Sequence, residues 1–267
     1  MSAAIPVSTD RMLAELDGPV GWMSFNNPAR RNAVSIEMWR AIPEILDRFE
    51  QDPAVRVIVL RGAGDTAFVA GLDISQFEEE FSSSQSRGLS EASARANERI
   101  QACPKPTIAM INGFCIGAGV QIAMNCDIRI AADTAMLAIT AARLGLGYPV
   151  PAVKRLIELV GPSRAKEIFF TGRQYAAAQA ERMGLVNRVV PAAELGSSVR
   201  DEATTIASNA PLTIAAIKQG VDRLTARPSE VDLAACERLM QACLDSADYA
   251  EGRRAFAEKR KPIFVGR

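Results

Sequence analysis

No histidine occurs anywhere in the chain. That absence excludes every Ser-His-Asp and Cys-His catalytic arrangement and every imidazole metal site. Any proton transfer falls to Asp, Glu, Tyr, Lys, Cys or water. Charge of one sign is not in excess either. Lys and Arg number 31 and Asp and Glu 31, so net charge leaves no footprint for nucleic acid or a membrane surface. No apolar run approaches the roughly 20 residues that span a bilayer. The five cysteines, Cys103, Cys115, Cys126, Cys236 and Cys243, form no CxxC pair. An odd number without zinc-type spacing predicts reduced, buried thiols and no metal centre. The opening "MSAAIPVSTDR" has no basic stretch before an apolar core. It does not read as a secretory signal, and the cytoplasm is the expected compartment.

What is present fits one large domain, or one domain with an appendage, in 267 residues. Residues 11–16 and 20–25 read as a hairpin around Asp17-Gly18. The polar loop "NNPARRNAVS" follows. Ser35 is a plausible N-cap for a helix carrying Trp39, Ile42, Ile45, Leu46 and Phe49 at helical spacing, with Pro43 expected to kink it. "VRVIVLRG" and "TIAMI" are short buried strands, "IRIAA" is a third, and 185–190 a later one. Residues 78–87 are polar and serine-rich and read as a loop able to cover a site. A helix is expected over 89–103. Short apolar strands alternating with helices favour an α/β class with helix-covered sheets. Residues 192–267 hold no convincing strand, and helices are expected over 212–224 and 230–244. The division is thus a core of 1–191 and a helical region of 192–267.

Two glycine turns organise the core. One is "FVAGLDI" at 68–74 and the other "CIGAGVQIAMNCD" at 115–127. Each places small residues between an apolar run and a helix. Glycine lets backbone approach a ligand closely. A helix starting near Ala118 aims unpaired N–H groups and the positive dipole end at that ligand. Two such turns facing each other would grip one carbonyl oxygen from two sides, which is the logic of an oxyanion hole.

Six stretches in order resemble the enoyl-CoA hydratase/isomerase family, also called the crotonase family. They are "NNPARRNAVS", "VRVIVLRGAGDTAFVAGLDISQF", "KPTIAMINGFCIGAGVQIAMNCDIRIAAD", "GLGYPVPAVKRLIELVGPSRAKEIFFTGR", "AERMGLVNRVV" and "EGRRAFAEKRKPIF". The resemblance implies a crotonase-like spiral of ββα units followed by C-terminal helices that build a homotrimer or a dimer of trimers. It implies an acyl-CoA thioester substrate and no cofactor beyond the coenzyme A that the substrate carries. By motif position, the two oxyanion donors would be the backbone N–H groups of Leu72 and Ala118, the second in place of the family's frequent glycine. Backbone at Ala33, Ala70 and Ile74 would lie around the adenine, with Arg30 and Arg31 as candidates for the phosphates. Phe256 and Lys259 match tail residues that reach coenzyme A, sometimes across a subunit boundary.

The pattern breaks where the family's hydratases keep two glutamates. Gln121 and Ala141 stand there instead. Glutamine orients a partner by hydrogen bonds but has no proton-transfer pKa near neutrality, and alanine does neither. Water addition by two carboxylates is therefore not supported. Tyr148, in "TAARLGLGY", resembles the tyrosine of the methylmalonyl-CoA decarboxylase branch, which positions a carboxylate. Decarboxylation of a malonyl-type CoA is one alternative, with Arg143 as a second carboxylate ligand. A non-catalytic acyl-CoA binder is the other. Glu78, Glu79 and Glu80 are the nearest spare carboxylates. Asp73 reads as an N-cap and Asp127 as structural.

Overall fold

Strands with two apolar faces need cover on both, and here they get it from two different layers. In β4 (Val57–Gly62), Ile58 and Leu60 point into the main core while Val57 and Val59 point the other way. A computed structural model describes residues 3–73, 83–144, 146–225, 238, 241, 242 and 244–267. The larger sheet has seven strands in the order β1-β2-β3-β4-β6-β8-β11. These are β1 (Ala3–Ile5), β2 (Met12–Asp17), β3 (Val20–Phe25), β4, β6 (Thr107–Ile111), β8 (Ile128–Ala132) and β11 (Arg188–Val190). The first three meander antiparallel, as the hairpin reading expects, and every pairing from β3 onward is parallel. The smaller sheet runs β10-β9-β7-β5, from β5 (Ala67–Val69), β7 (Phe114–Ile116), β9 (Met136–Ala138) and β10 (Tyr175–Ala176).

Between and around these sheets lie α1 (Ile36–Gln51), α2 (Ser83–Gln101), α3 (Ala118–Asn125), α4 (Val150–Thr171) and α5 (Ala177–Met183). On the far face of the larger sheet, α6 (Leu195–Ala207) sets Leu195, Val199 and Ala203 against Val20, Trp22, Val59 and Ile108. α6 follows residue 191 in the chain, yet it shares a core with the sheet. α7 (Pro211–Thr225) is joined to the sheet by one ammonium. Lys218 Nζ donates to the Asp127 carboxylate at 2.7 Å, and that same oxygen accepts from the N–H and hydroxyl of Thr107. Asp127 is structural, as its position at the start of a strand suggests. α8 (Ala247–Ala257) is packed by the C-terminal tail, where Asp248 accepts from the N–H groups of Val265 and Gly266. No helix among the described residues is long and apolar enough to cross a membrane.

Two local expectations change. Ser35 does cap α1, its hydroxyl accepting from Met38 N–H. However, the helix runs unbroken through Pro43, whose missing N–H would have bonded Trp39 O and whose ring is buried. The serine-rich stretch is helical from Ser83, because Ala96 and Ile100 anchor the same helix in the core and extend it backward. α4 is one element with a break at Gly161 (φ 78°), directly before Pro162.

Candidate functional site

Strand register brings the two glycine turns together. β5 and β7 are parallel neighbours with Val69 opposite Cys115, so the chain leaves both strands at the same sheet edge. Ala70-Gly71-Leu72 emerges from one and Gly117-Ala118 from the other. Gly117 serves as N-cap of α3 at φ 54°, ψ −104°, backbone that suits glycine. Gly119 lies so close to β5 that a Cβ there would sit 2.2 Å from the Val69 carbonyl oxygen. On the other side, Val34 N–H donates to Gly71 O at 2.9 Å, and Asp73 N–H donates to Val34 O. This bridge skips the intervening amide. Among the described residues, the N–H groups of Leu72 and Ala118 meet no acceptor.

Beside this edge stands Tyr148. Its hydroxyl donates to Gly117 O at 3.3 Å, and its ring meets Phe169 edge-on with centroids 5.1 Å apart. Burial pushes its pKa well above the usual phenol value, so the hydroxyl keeps its proton. Tyr148 and Ala141 help line a cavity of about 480 Å³ whose walls are otherwise mainly apolar, including Val153, Ala165 and Phe169. Gln121 is one turn into α3. Its N–H donates to Gly117 O, and its carbonyl accepts from Asn125 Nδ2, which also donates to Asn97. Neither Gln121 nor Ala141 brings a carboxylate to this place. Among the described residues, no group of three His, Cys, Asp or Glu side chains is arranged to hold a metal ion.

The loop carrying Arg30, Arg31 and Ala33 is fastened to the first turn. Ala70 N–H donates to Arg31 O at 3.0 Å, and Ala33 N–H to Arg30 O. The Arg31 guanidinium lies 4.8 Å from the Phe114 ring centroid. Arg30 pairs with Asp73 at 3.0 Å, and Arg11 reaches the same carboxylate at 3.5 Å. Asp73 is a buried counter-ion for two arginines, and the residues it is expected to cap lie outside the described ones. Arg143 lays its stem across Gly172 and does not line the cavity. Ile74 and Glu78, Glu79 and Glu80 lie outside the described residues, as does the side chain of Phe256 in α8. Lys259 is exposed after α8 at φ 54°. The tail beyond it meets Arg56, ahead of β4, through Phe264 O.

Sequence reasoning missed Asn32. It is 1% exposed, with left-handed backbone (φ 57°). Its side chain accepts from Asn27 N–H and donates to Ala63 O and Ala67 O at 3.0 and 2.8 Å. One amide thus ties the arginine loop to the start of β5. The available signal was an asparagine closing a polar loop, since Asn tolerates that backbone. Asn32→Ala is expected to destabilise the protein by about 1–3 kcal/mol, because it strands buried backbone groups. Denaturant unfolding checks this, and an unchanged midpoint would refute the role.

An α/β fold in which adjacent parallel strands of the smaller sheet end in turns carrying two unpaired amides is the class of protein these elements define. Residues 15–267 match the family model for enoyl-CoA hydratase/isomerase. The chain is 33% identical over 252 residues to a short-chain-enoyl-CoA hydratase of Clostridium acetobutylicum, covering 94% of this chain and 96% of that one. It is 35% identical over 252 residues to a carnitinyl-CoA dehydratase of Proteus mirabilis, covering 89% and 92%. Among solved structures, a putative enoyl-CoA hydratase/isomerase family protein from Hyphomonas neptunium superimposes with a TM-score of 0.91 at 34% identity, covering 96% of this chain and 98% of that one. The chain belongs to the enoyl-CoA hydratase/isomerase family.

Proposed function

We propose that this protein acts on acyl-CoA thioesters, holding the thioester carbonyl between the N–H groups of Leu72 and Ala118 and stabilising the enolate that forms there. One observation carries the reading: two unpaired amides at one sheet edge, on turns of adjacent strands. Donors fixed in advance need no reorganisation as charge develops on the oxygen. The relatives named for enoyl-CoA and carnitinyl-CoA chemistry support the substrate class. Coenzyme A would lie along the arginine loop, past Ala33 and Ala70 and on toward Ile74, with Arg31 and the half-neutralised Arg30 facing its phosphates. The tail is fastened to Arg56, ahead of β4 in the larger sheet, and not to either turn of the smaller one. By the family resemblance, Phe256 and Lys259 would reach coenzyme A, with the chain assembled as a homotrimer or a dimer of trimers.

The reaction is not water addition by paired carboxylates. Gln121 and Ala141 occupy the two positions, and neither exchanges protons near neutrality. A base-poor site suits decarboxylation of a malonyl-type CoA, because loss of CO₂ generates the same enolate without proton abstraction. The test is to incubate the protein separately with crotonyl-CoA and methylmalonyl-CoA. Crotonyl-CoA hydration is expected at no more than the buffer rate, followed by loss of enoyl absorbance. Hydration abolished by Gln121→Ala would overturn this. CO₂ release establishes decarboxylation. Tight binding of both thioesters without turnover identifies a binder that kept the grip and lost the chemistry.

A further inference from the structure

We propose that Tyr148 is a positioning residue: its hydroxyl strengthens and aims the Ala118 N–H by bonding the carbonyl at the other end of the same peptide unit. The inference rests on the thioester reading above and adds a part to it. Gly117 C=O and Ala118 N–H belong to one planar amide. That carbonyl accepts twice, from Gln121 N–H at 3.1 Å and from Tyr148 Oη at 3.3 Å. A hydrogen bond to an amide oxygen draws electron density toward it and leaves the N–H more positive, so donors in series reinforce one another. The amide is also held mechanically. Gly117 N–H is fixed to Ala138 O at 2.8 Å on one side, and the tyrosine ring is braced by Phe169 on the other.

The second turn repeats the device with backbone alone. Leu72 N–H shares its peptide unit with Gly71 C=O, and that carbonyl accepts from Val34 N–H at 2.9 Å. Both unpaired amides therefore have their oxygens engaged from behind. Only at Ala118 does a side chain supply part of that engagement, which makes it the adjustable one. Burial keeps the phenol protonated across the working pH range, so its proton stays on the donating side. A hydroxyl committed to Gly117 O has no second proton with which to hold a substrate carboxylate.

The test uses the full-length protein and butyryl-CoA labelled with ¹³C at the thioester carbonyl, a saturated probe. Vibrational difference spectroscopy reads how far binding lowers the carbonyl stretch. Wild type should lower it. Tyr148→Phe keeps the ring packing and, at saturating butyryl-CoA, should lose about 10–30% of that lowering, the scale of one cooperative bond. Fluorotyrosine placed at position 148, a stronger donor, should enlarge it. A full wild-type shift in Tyr148→Phe would refute the proposal and leave the thioester reading standing. No shift in wild type would refute the reading itself. A Tyr148→Phe protein that keeps the full butyryl-CoA shift but loses affinity for methylmalonyl-CoA would also overturn the proposal, since the hydroxyl would then be touching substrate.

Discussion

Ala118→Pro is expected to lower turnover of whichever thioester the enzyme processes by about 10²–10³-fold, or about 2.7–4 kcal/mol of barrier, with the fold intact. Backbone donors are hard to delete, but this one stands where deletion is structurally mild. Ala118 is the first residue of α3, so its N–H has no place in the helix ladder. Proline is favoured at that position, its ring presetting the helical φ. Gly117 ahead of it, at φ 54° and ψ −104°, has no Cβ for the proline ring to strike. The substitution therefore replaces the donating hydrogen with the ring Cδ, which deletes the donor and also fills the space in front of it. Steady-state kinetics with unfolding as a control would decide it. A variant with native stability and undiminished turnover would eliminate Ala118 as a donor.

Gly119→Ala should be the most damaging small change near the site, for a steric reason. Alanine is the better helix former by about 1 kcal/mol. The added methyl, however, would lie 2.2 Å from the Val69 carbonyl oxygen and 3.1 Å from its carbon. Neither is a flexible side-chain end, so β5 and the first turn of α3 must separate. Overpacking of this kind costs about 1–3 kcal/mol, and here the rigid neighbour puts it at the upper end. At about 2–4 °C per kcal/mol for a chain of this size, melting should fall by roughly 6–12 °C. Turnover should fall further than stability explains, because Ala118 moves with the helix. Calorimetry alongside kinetics at a temperature where the variant is folded would separate the two. Unchanged melting and turnover together would mean the strand and helix are not packed as described.

Much of this architecture was legible in the sequence. The apolar runs of β3, β4, β6 and β8 and the periodicity of α1 were readable because long, regular patterns carry their own evidence. The start of α3 at Ala118 was readable from its glycines, and that placed half of the candidate site. The smaller sheet was not readable. β5, β7 and β9 have three residues each, too few for any period to show. Yet the pairing of β5 with β7 is what sets the two turns side by side. Contacts between distant positions were equally hidden. Nothing local to Tyr148 announces a bond to Gly117, and nothing local to Asp73 announces its arginines. Asn32 looked like one more polar loop residue, because its three partners come from elsewhere in the chain.

The parallel pairing of β5 and β7 has one more consequence. Neighbouring strands sit about 4.8 Å apart because the hydrogen bonds between them set that distance. Two amides mounted where adjacent strands end thus inherit their separation from the sheet and not from any side chain. The sheet works as a caliper whose opening is nearly fixed, whatever residues surround the jaws. Acids and bases nearby can then be exchanged, as Gln121 and Ala141 illustrate, without resetting the spacing of the two amides.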